Sequence, residues 1–533
     1  MDRPDLPPSP APAGPSRERV RVTPRVRVTR RSVLIADRAA DWIIRVGGVA
    51  VILAVVLIMA FLVQVVVPLF AGATVQARIE HDFAGEGGVE RPLASAIDEH
   101  RTIVVSLASD GRLAAYHLAT GMKLAVSGFD LGAKRATALG RTLAWTDMAL
   151  GFADGTVRFG RLALGTEVLR ADQVPAGLRR LDRRDSTDGQ AVYSAIPGGQ
   201  FRRVSVTTTL EPEQKISDTG AAIVAIDYHL AGTTERPTRT LLTIDAAGHL
   251  RLTRAESRTN MMTRQTRTVL ATGRLPDLPA GTRVVRALTT DKADQVFIGA
   301  EDGTVYRFDT RDLAAPVLAE RARLVRGAAR LTVLEFLIGE QSLVVGASDG
   351  SVDVYFRLQR DGAGGTASTT DGFQMVRAHA LEPHGGAVTG FSASQRTKLF
   401  VTTDAAGEVW LRHSTSGQTV LKLARAPAPT AGPAGAPASV LLAPRDDGVL
   451  AIETDGRGAF WRVSAPHPET TFASLFGRVW YEGYDAPGYT WQSSAGTDSF
   501  EPKLSLVPLI FGTLKATFYA LLFAVPVALL GAI

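Results

Sequence analysis

The chain has 533 residues, 45% of them hydrophobic, no cysteine and a formal net charge of +6. Without cysteine, disulfides, thiolate metal sites and cysteine nucleophiles are excluded. The basic excess is local: beyond residue 45 there remain 49 basic against 48 acidic side chains, so charge gives no support for nucleic-acid binding and none is expected.

Residues 1–41 are read as a basic tail without apolar periodicity, disordered and cytoplasmic. Pro7, Pro8, Pro10, Pro12 and Pro15 precede a series of arginines from Arg17 to Arg45. Its contacts are with solvent or with anionic headgroups of membrane lipid. From Val46 to Phe70, 25 residues carry no charge, and Gln64 is the main polar interruption. A hydrocarbon core of about 30 Å needs about 20 such residues as helix, so residues 42–72 are expected to span a membrane. Arginines crowd the leading side and only Arg78 follows closely, which places the N-terminus inside and the following residues outside. A cleaved signal at Ala71-Gly72-Ala73 is the alternative, but a secretory apolar region is shorter, at about 7 to 15 residues.

Across residues 78–466 one pattern recurs, a turn glycine followed by alternating apolar positions. The glycines are Gly111, Gly155, Gly199, Gly248, Gly303, Gly350, Gly407 and Gly456, at intervals of 44, 44, 49, 55, 47, 57 and 49 residues. Asp-Gly between alternating runs is a hairpin signal, because the turn needs a positive φ that costs glycine nothing. A period of this length leaves room for about four short strands, the unit of a propeller blade. The fold class expected is therefore mainly β, a WD40-like β-propeller of eight blades, alternatively seven if one copy, the third at Gly199 first among them, is irregular, between two transmembrane helices. The repeats resemble WD40-like propellers in turn chemistry, although the Trp-Asp dipeptide of a typical blade is missing. That resemblance is to an architecture and carries no activity.

Individual motifs inside the array carry little chemistry. Gly346-Ala347-Ser348-Asp349-Gly350 matches a nucleophile elbow, but a strand, not a helix, is expected after it. His379 and His384 are the closest histidine pair, lack metal-ligand spacing and read as loop or core residues. No phosphate-binding Gly-x-x-x-x-Gly-Lys motif occurs. Gly362, Gly364 and Gly365 suggest a surface loop, and residues 426–437 a connector. Catalytic residues, cofactors and metals are accordingly all expected to be none, the substrate-binding residues are unknown, and the chain is not expected to be an enzyme.

Residues 467–503 are read as an amphipathic elbow and aromatic linker. Phe472, Leu475, Phe476, Val479 and Trp480 share one helical face, with Thr470 or Thr471 as cap and Gly483 as terminator. That face either lies in the membrane interface or packs on the propeller. From Ala516 to Ile533 there is again no charge, so residues 504–533 are expected to begin a second membrane segment that stops inside a longer domain. Trp480-Tyr481-Glu482-Gly483-Tyr484, Phe500-Glu501-Pro502-Lys503 and Ser505 to Thr517, with Gly512-Thr513-Leu514-Lys515 and Ala524-Val525-Pro526, resemble the phosphate ABC-transporter permease family of PstC type. That resemblance implies an inner-membrane permease subunit of an ATP-driven phosphate importer. Its implied partners are a second permease subunit, cytoplasmic ATPase subunits and a periplasmic phosphate-binding protein. The alternative reading is a membrane-anchored periplasmic propeller acting as a protein-binding or assembly scaffold.

Overall fold

The computed structural model describes residues 31–83, 92–233, 236–259, 266–359, 369–423, 437–453, 456–496 and 500–533. The chain divides into two compact units, Met1–Pro68 and Leu69–Ile533. Residues 1–30, the glycine-rich loop at 362–365 and most of the connector at 426–437 lie outside the described residues.

The first unit holds α1, Arg31–Val66, none of whose side chains is buried. Its 36 residues rise about 54 Å at roughly 1.5 Å each, more than a hydrocarbon core needs. The helix reaches back into the arginine-bearing segment, where Arg45 pairs with Asp41 one turn earlier at 2.8 Å.

In the second unit, six four-stranded antiparallel meanders form regular blades, here numbered in chain order. Blade 1 covers residues 94–124, blade 2 223–274, blade 3 284–323, blade 4 331–380 and blade 5 388–423. Blade 6 takes three strands from 437–464 and its fourth from Thr74–Asp82 near the start of the unit, paired antiparallel with Arg457–Ser464. The array is thereby closed by its own first strand, which becomes the outer edge of blade 6. Between blades 1 and 2 the chain forms one eight-stranded sheet over residues 136–215.

The middle strands of each blade are covered by a neighbouring sheet on both faces, so they read as apolar runs rather than strict alternation. Ser342–Ala347 and Leu399–Asp404 are buried at every position. Apolar clusters fill the gaps between successive sheets: Ile298 and Leu252 between blades 2 and 3, Val345 and Val305 between blades 3 and 4, Trp461 and Leu411 between blades 5 and 6.

All eight turn glycines have positive φ. Seven join the second and third strands of a sheet, but Gly199 instead joins Val192–Ile196 to Gln200–Leu210 inside the eight-stranded sheet. The expected eight blades, or seven, are therefore corrected to six regular ones: Gly199 marks a hairpin added to an existing sheet, and Gly155 belongs to that same eight-stranded sheet, which is not a regular four-stranded blade. At Gly350 the requirement for glycine is double, since φ is +84° and a Cβ would stand 2.2 Å from the His384 carbonyl oxygen.

After blade 6 the chain forms α2, Phe472–Phe476. The Thr471 side chain accepts from Ser474 N and the Ser474 hydroxyl accepts from Thr471 N, both at 2.8 Å, so that of the two expected caps, Thr470 and Thr471, it is Thr471 that caps the helix, reciprocally with Ser474. The expected continuation to Trp480 and Gly483 is corrected. Gly477 N donates to Ala473 O and the chain turns extended, so Val479 bridges Gly488 and the Trp480 ring packs edge-on against Phe356. The unit ends in α3, Val507–Ala532, with Pro526 inside it. The α1 segment through Phe70 and α3 are the two helices, among the described residues, that are long and apolar enough to cross a membrane.

Candidate functional site

The innermost strands of five successive sheets converge on a cavity of about 160 Å³ at one end of the propeller channel. Arg141 comes from the eight-stranded sheet, Asp227 and His229 from blade 2, Arg286 from blade 3 and Glu335 with Glu340 from blade 4. His229 Nε2 lies 3.1 Å from Asp227 and its Nδ1 3.0 Å from Glu340. Arg286 pairs with Glu335 at 2.8 Å, and Arg141 stacks on the Trp145 ring. Backbone amides complete the set: Thr289 N donates to Asp227 and Asp291 N to Glu340, both at 2.7 Å.

Burial opposes charge on His229, yet the flanking Asp227 and Glu340 carboxylates lift it to about 10. It stays an imidazolium at neutral pH and is then no general base. Burial raises Glu335 and Glu340 against the pull of their cationic partners. The arrangement is a charge-balanced ring that fixes neighbouring blades in register. Sequence reading placed no acid or histidine at the channel, and the cluster was not visible because its members are spread from residue 141 to 340.

A second polar site lies on the same face, the end at which first strands turn into second strands. The linker after α2 crosses blades 4 and 5 there. Lys398, buried at the start of a blade 5 strand, donates to both Glu482 carboxylate oxygens at 2.7 and 2.8 Å and to Ile338 O. Ser342 also donates to Glu482. Next to this pair a cavity of about 440 Å³ is lined by Lys398, His413, Asp446, Pro468, Phe500 and Glu501. Glu501 accepts from Thr415 Oγ1 at 2.8 Å, and His413 Nε2 stands 3.7 Å away. Burial, reinforced by the nearby Glu482 charge, pushes Glu501 up to about 7, and burial brings His413 down to about 3. The linker is thus joined to the disc by buried charge and hydrogen bonds rather than by apolar contact alone.

The sequence motifs fall elsewhere. Ser348 sits in the turn between Ser342–Ala347 and Val352–Gln359, a strand-turn-strand, not an elbow leading into a helix. His379 and His384 are separated in role: His379 Nε2 meets Trp480 O at 3.0 Å, whereas His384 Nε2 meets Thr402 Oγ1 at 2.8 Å with its ring on Trp410. Among the described residues, two groups bring one histidine and two acids within reach of a cation, His117 with Asp182 and Asp185, and His384 with Asp404 and Glu408. In the first, both His117 nitrogens already have partners, Thr120 Oγ1 at 2.8 Å and Asp185 at 3.0 Å. In the second, Asp404 holds the amides of Ala406 and Glu408 in the turn. The first group ties blade 1 to the eight-stranded sheet, and in the second the buried His384 Nδ1 and Asp404 Oδ2 stand 3.8 Å apart without a hydrogen-bond partner among the described residues.

No family model and no curated protein matches the chain. Among solved structures it is similar to the β-propeller domain of Cps50 (Swd1) from Myceliophteria thermophila, at 13% identity over 70% of this chain and 97% of that one, with a TM-score of 0.42. It is also similar to a chain of a mitotic checkpoint complex, at 11% identity over 73% and 94%, with a TM-score of 0.39. The resemblance to the phosphate permease family is therefore corrected. No family model and no curated protein supports it. Phosphate transport falls with it, as do the implied second permease subunit, ATPase subunits and phosphate-binding protein. The likeness rested on short motifs in an aromatic linker and an apolar helix start, Gly512-Thr513-Leu514-Lys515 and Ala524-Val525-Pro526 among them, which are too short to carry a family without wider support.

Proposed function

We propose that the chain is a membrane-anchored β-propeller that serves as a protein-binding or assembly scaffold and performs no catalysis of its own. The observation that carries this reading is the convergence of both ends of the propeller on α2. The Phe70 ring lies 5.6 Å from Phe472, and Leu506 N donates to Leu475 O at 2.8 Å. Phe70 closes the first apolar segment and Leu506 immediately precedes α3. Phe472 and Phe476 are exposed beside this junction, the disposition of aromatic side chains at a lipid interface. The disc is held at one point of its rim, and the opposite face, with its glycine turns, is left for partners.

In this reading residues 1–41 are a cytoplasmic basic tail, 42–72 the first anchor, 78–466 the propeller in the periplasm, 467–503 the elbow and 504–533 a second anchor in a bacterial inner membrane. The arginine asymmetry around the first anchor supports that orientation. Alkaline carbonate washing of membranes, followed by protease treatment of spheroplasts, tests it. The chain should stay with the lipid, and external protease should cut between residues 78 and 466. Release by carbonate, or cleavage only after lysis, would overturn the reading.

A further inference from the structure

The eight-stranded sheet adds to the disc a feature that blade geometry does not require. Its longest strand, Thr156–Arg170, pairs with the neighbouring blade-like strand only as far as Arg161, opposite Asp147. Asp147 follows the turn between first and second strands, so the strand then passes beyond the face crossed by the linker. Nine further residues extend it by about 30 Å at roughly 3.3 Å each. Gln200–Leu210 runs back along it, and three shorter strands, Val192–Ile196, Asp185–Thr187 and Arg179–Arg180, widen it into a foot.

The foot is basic on its outside. The turn at 179–184 carries Arg179, Arg180, Arg183 and Arg184, all exposed, with one acid among them. That acid is engaged inward: Asp182 accepts the amides of Arg184 and Asp185 at 2.7 and 2.8 Å. Nearby, Asp188 accepts two amides and the Tyr193 hydroxyl, and Asp185 faces His117. Among the described residues, Arg179, Arg183 and Arg184 have no acidic partner. Ala195 N donates to Arg184 O, and Ala195 pairs with Phe201, which pairs with Leu169. Arg183 and Arg184 thus stand near the level of Val168, which is 58% exposed, whereas Arg179, paired with Thr187, stands about three residues further back along the foot.

We propose that this foot is a second membrane contact, one that docks on anionic lipid headgroups through Arg179, Arg183 and Arg184, with the exposed Val168 beside them. The proposal rests on the anchored reading above. It projects from the face at which the linker leads to α3, so a bilayer holding α3 lies on the side toward which the foot points. Cations beside apolar side chains match a headgroup layer, where charge meets phosphate and the apolar edge meets the acyl boundary. An acidic protein would satisfy the arginines but gives no account of their placement on the side from which α3 leaves.

The full chain, reconstituted in nanodiscs of phosphatidylcholine alone or with phosphatidylglycerol, tests this by hydrogen exchange of residues 178–203. Exchange should be slower by about fivefold or more in the anionic discs, and about 0.5 M salt should abolish the difference. The triple variant Arg179→Gln, Arg183→Gln, Arg184→Gln should lose the lipid dependence while the turn at Gly303 exchanges unchanged. Equal exchange in both discs, with the chain retained in them, would overturn the foot and leave the anchoring intact. A chain that does not enter the discs would overturn both, and protection that appears only on adding an acidic protein would overturn the lipid assignment.

Discussion

Replacing Glu501 by Gln changes one proton and little else at the junction between propeller and linker. The Glu501 side chain is 11% exposed, accepts from Thr415, lies near neutral His413, is repelled by Glu482 and attracted by Lys398 and Lys503. Burial lifts it from an ordinary 4.5 to about 7. A raised carboxyl favours the docked linker fully below about 4.5; that advantage is lost as pH rises toward 7 and stays lost above it. At about 1.4 kcal/mol per pH unit the loss is roughly 3 kcal/mol. His413, held near 3 by burial, contributes in the opposite direction, since docking it costs more as pH falls below its ordinary 6.5. The two slopes therefore offset one another between about 4.5 and 6.5, and only the difference between native and variant chains isolates Glu501. The assay is hydrogen exchange of residues 481–506 from pH 4.5 to 8. Protection in Glu501→Gln relative to the native chain should grow with pH and reach about 100-fold near pH 8. A ratio that stays within about threefold across the range would refute the burial argument.

Three further outcomes follow from the packing. Gly350→Ala should lower stability by at least about 2 kcal/mol in urea titrations, because its Cβ would meet the His384 carbonyl at positive φ, whereas Gly198→Ala, with open space around it, should cost about 1 kcal/mol. Ile79→Pro should cost about 2 to 4 kcal/mol and produce soluble aggregates on gel filtration, since Ile79 pairs with Phe460 in the strand that closes the ring. Lys398→Met should cost about 3 to 5 kcal/mol of local stability at the junction by leaving buried Glu482 without its cation. Adding Glu482→Gln should return most of the loss, a recovery readable in exchange of residues 479–484.

The turn chemistry was legible because it is local: a glycine needed at positive φ marks itself in the sequence whatever surrounds it. For the same reason it misled at Gly198-Gly199. Both adopt positive φ, at 85° and 71°, as a blade turn would, yet the strands they join pair with the extension of Thr156–Arg170. What separates a blade from an added hairpin is which sheet receives its outer strand, and no residue near the turn encodes that choice. The helix at 472 shows the complementary failure. Apolar spacing carried it to Trp480, but Gly477 ends it after five residues, and the Trp480 ring instead meets Phe356 while its carbonyl oxygen meets His379.

The charged sites were illegible for a geometric reason. In a propeller every innermost strand delivers one or two side chains to a common axis, so a ring of six ionisable groups is assembled from segments tens of residues apart. Arg286 and Glu335 each look, in sequence, like a solvated interruption of a strand. Only closure of the ring makes Arg286 the counterion of Glu335 and brings Glu340 to His229. The same holds for Lys398 and Glu482, one a strand residue of blade 5 and the other in the linker. A buried ion pair seldom stabilises more than apolar packing would, but it tolerates few alternative partners. The linker could rest on the disc in many registers through Tyr481 and Trp480 alone; the Lys398–Glu482 pair selects one of them, and with it the place on the rim where α3 begins.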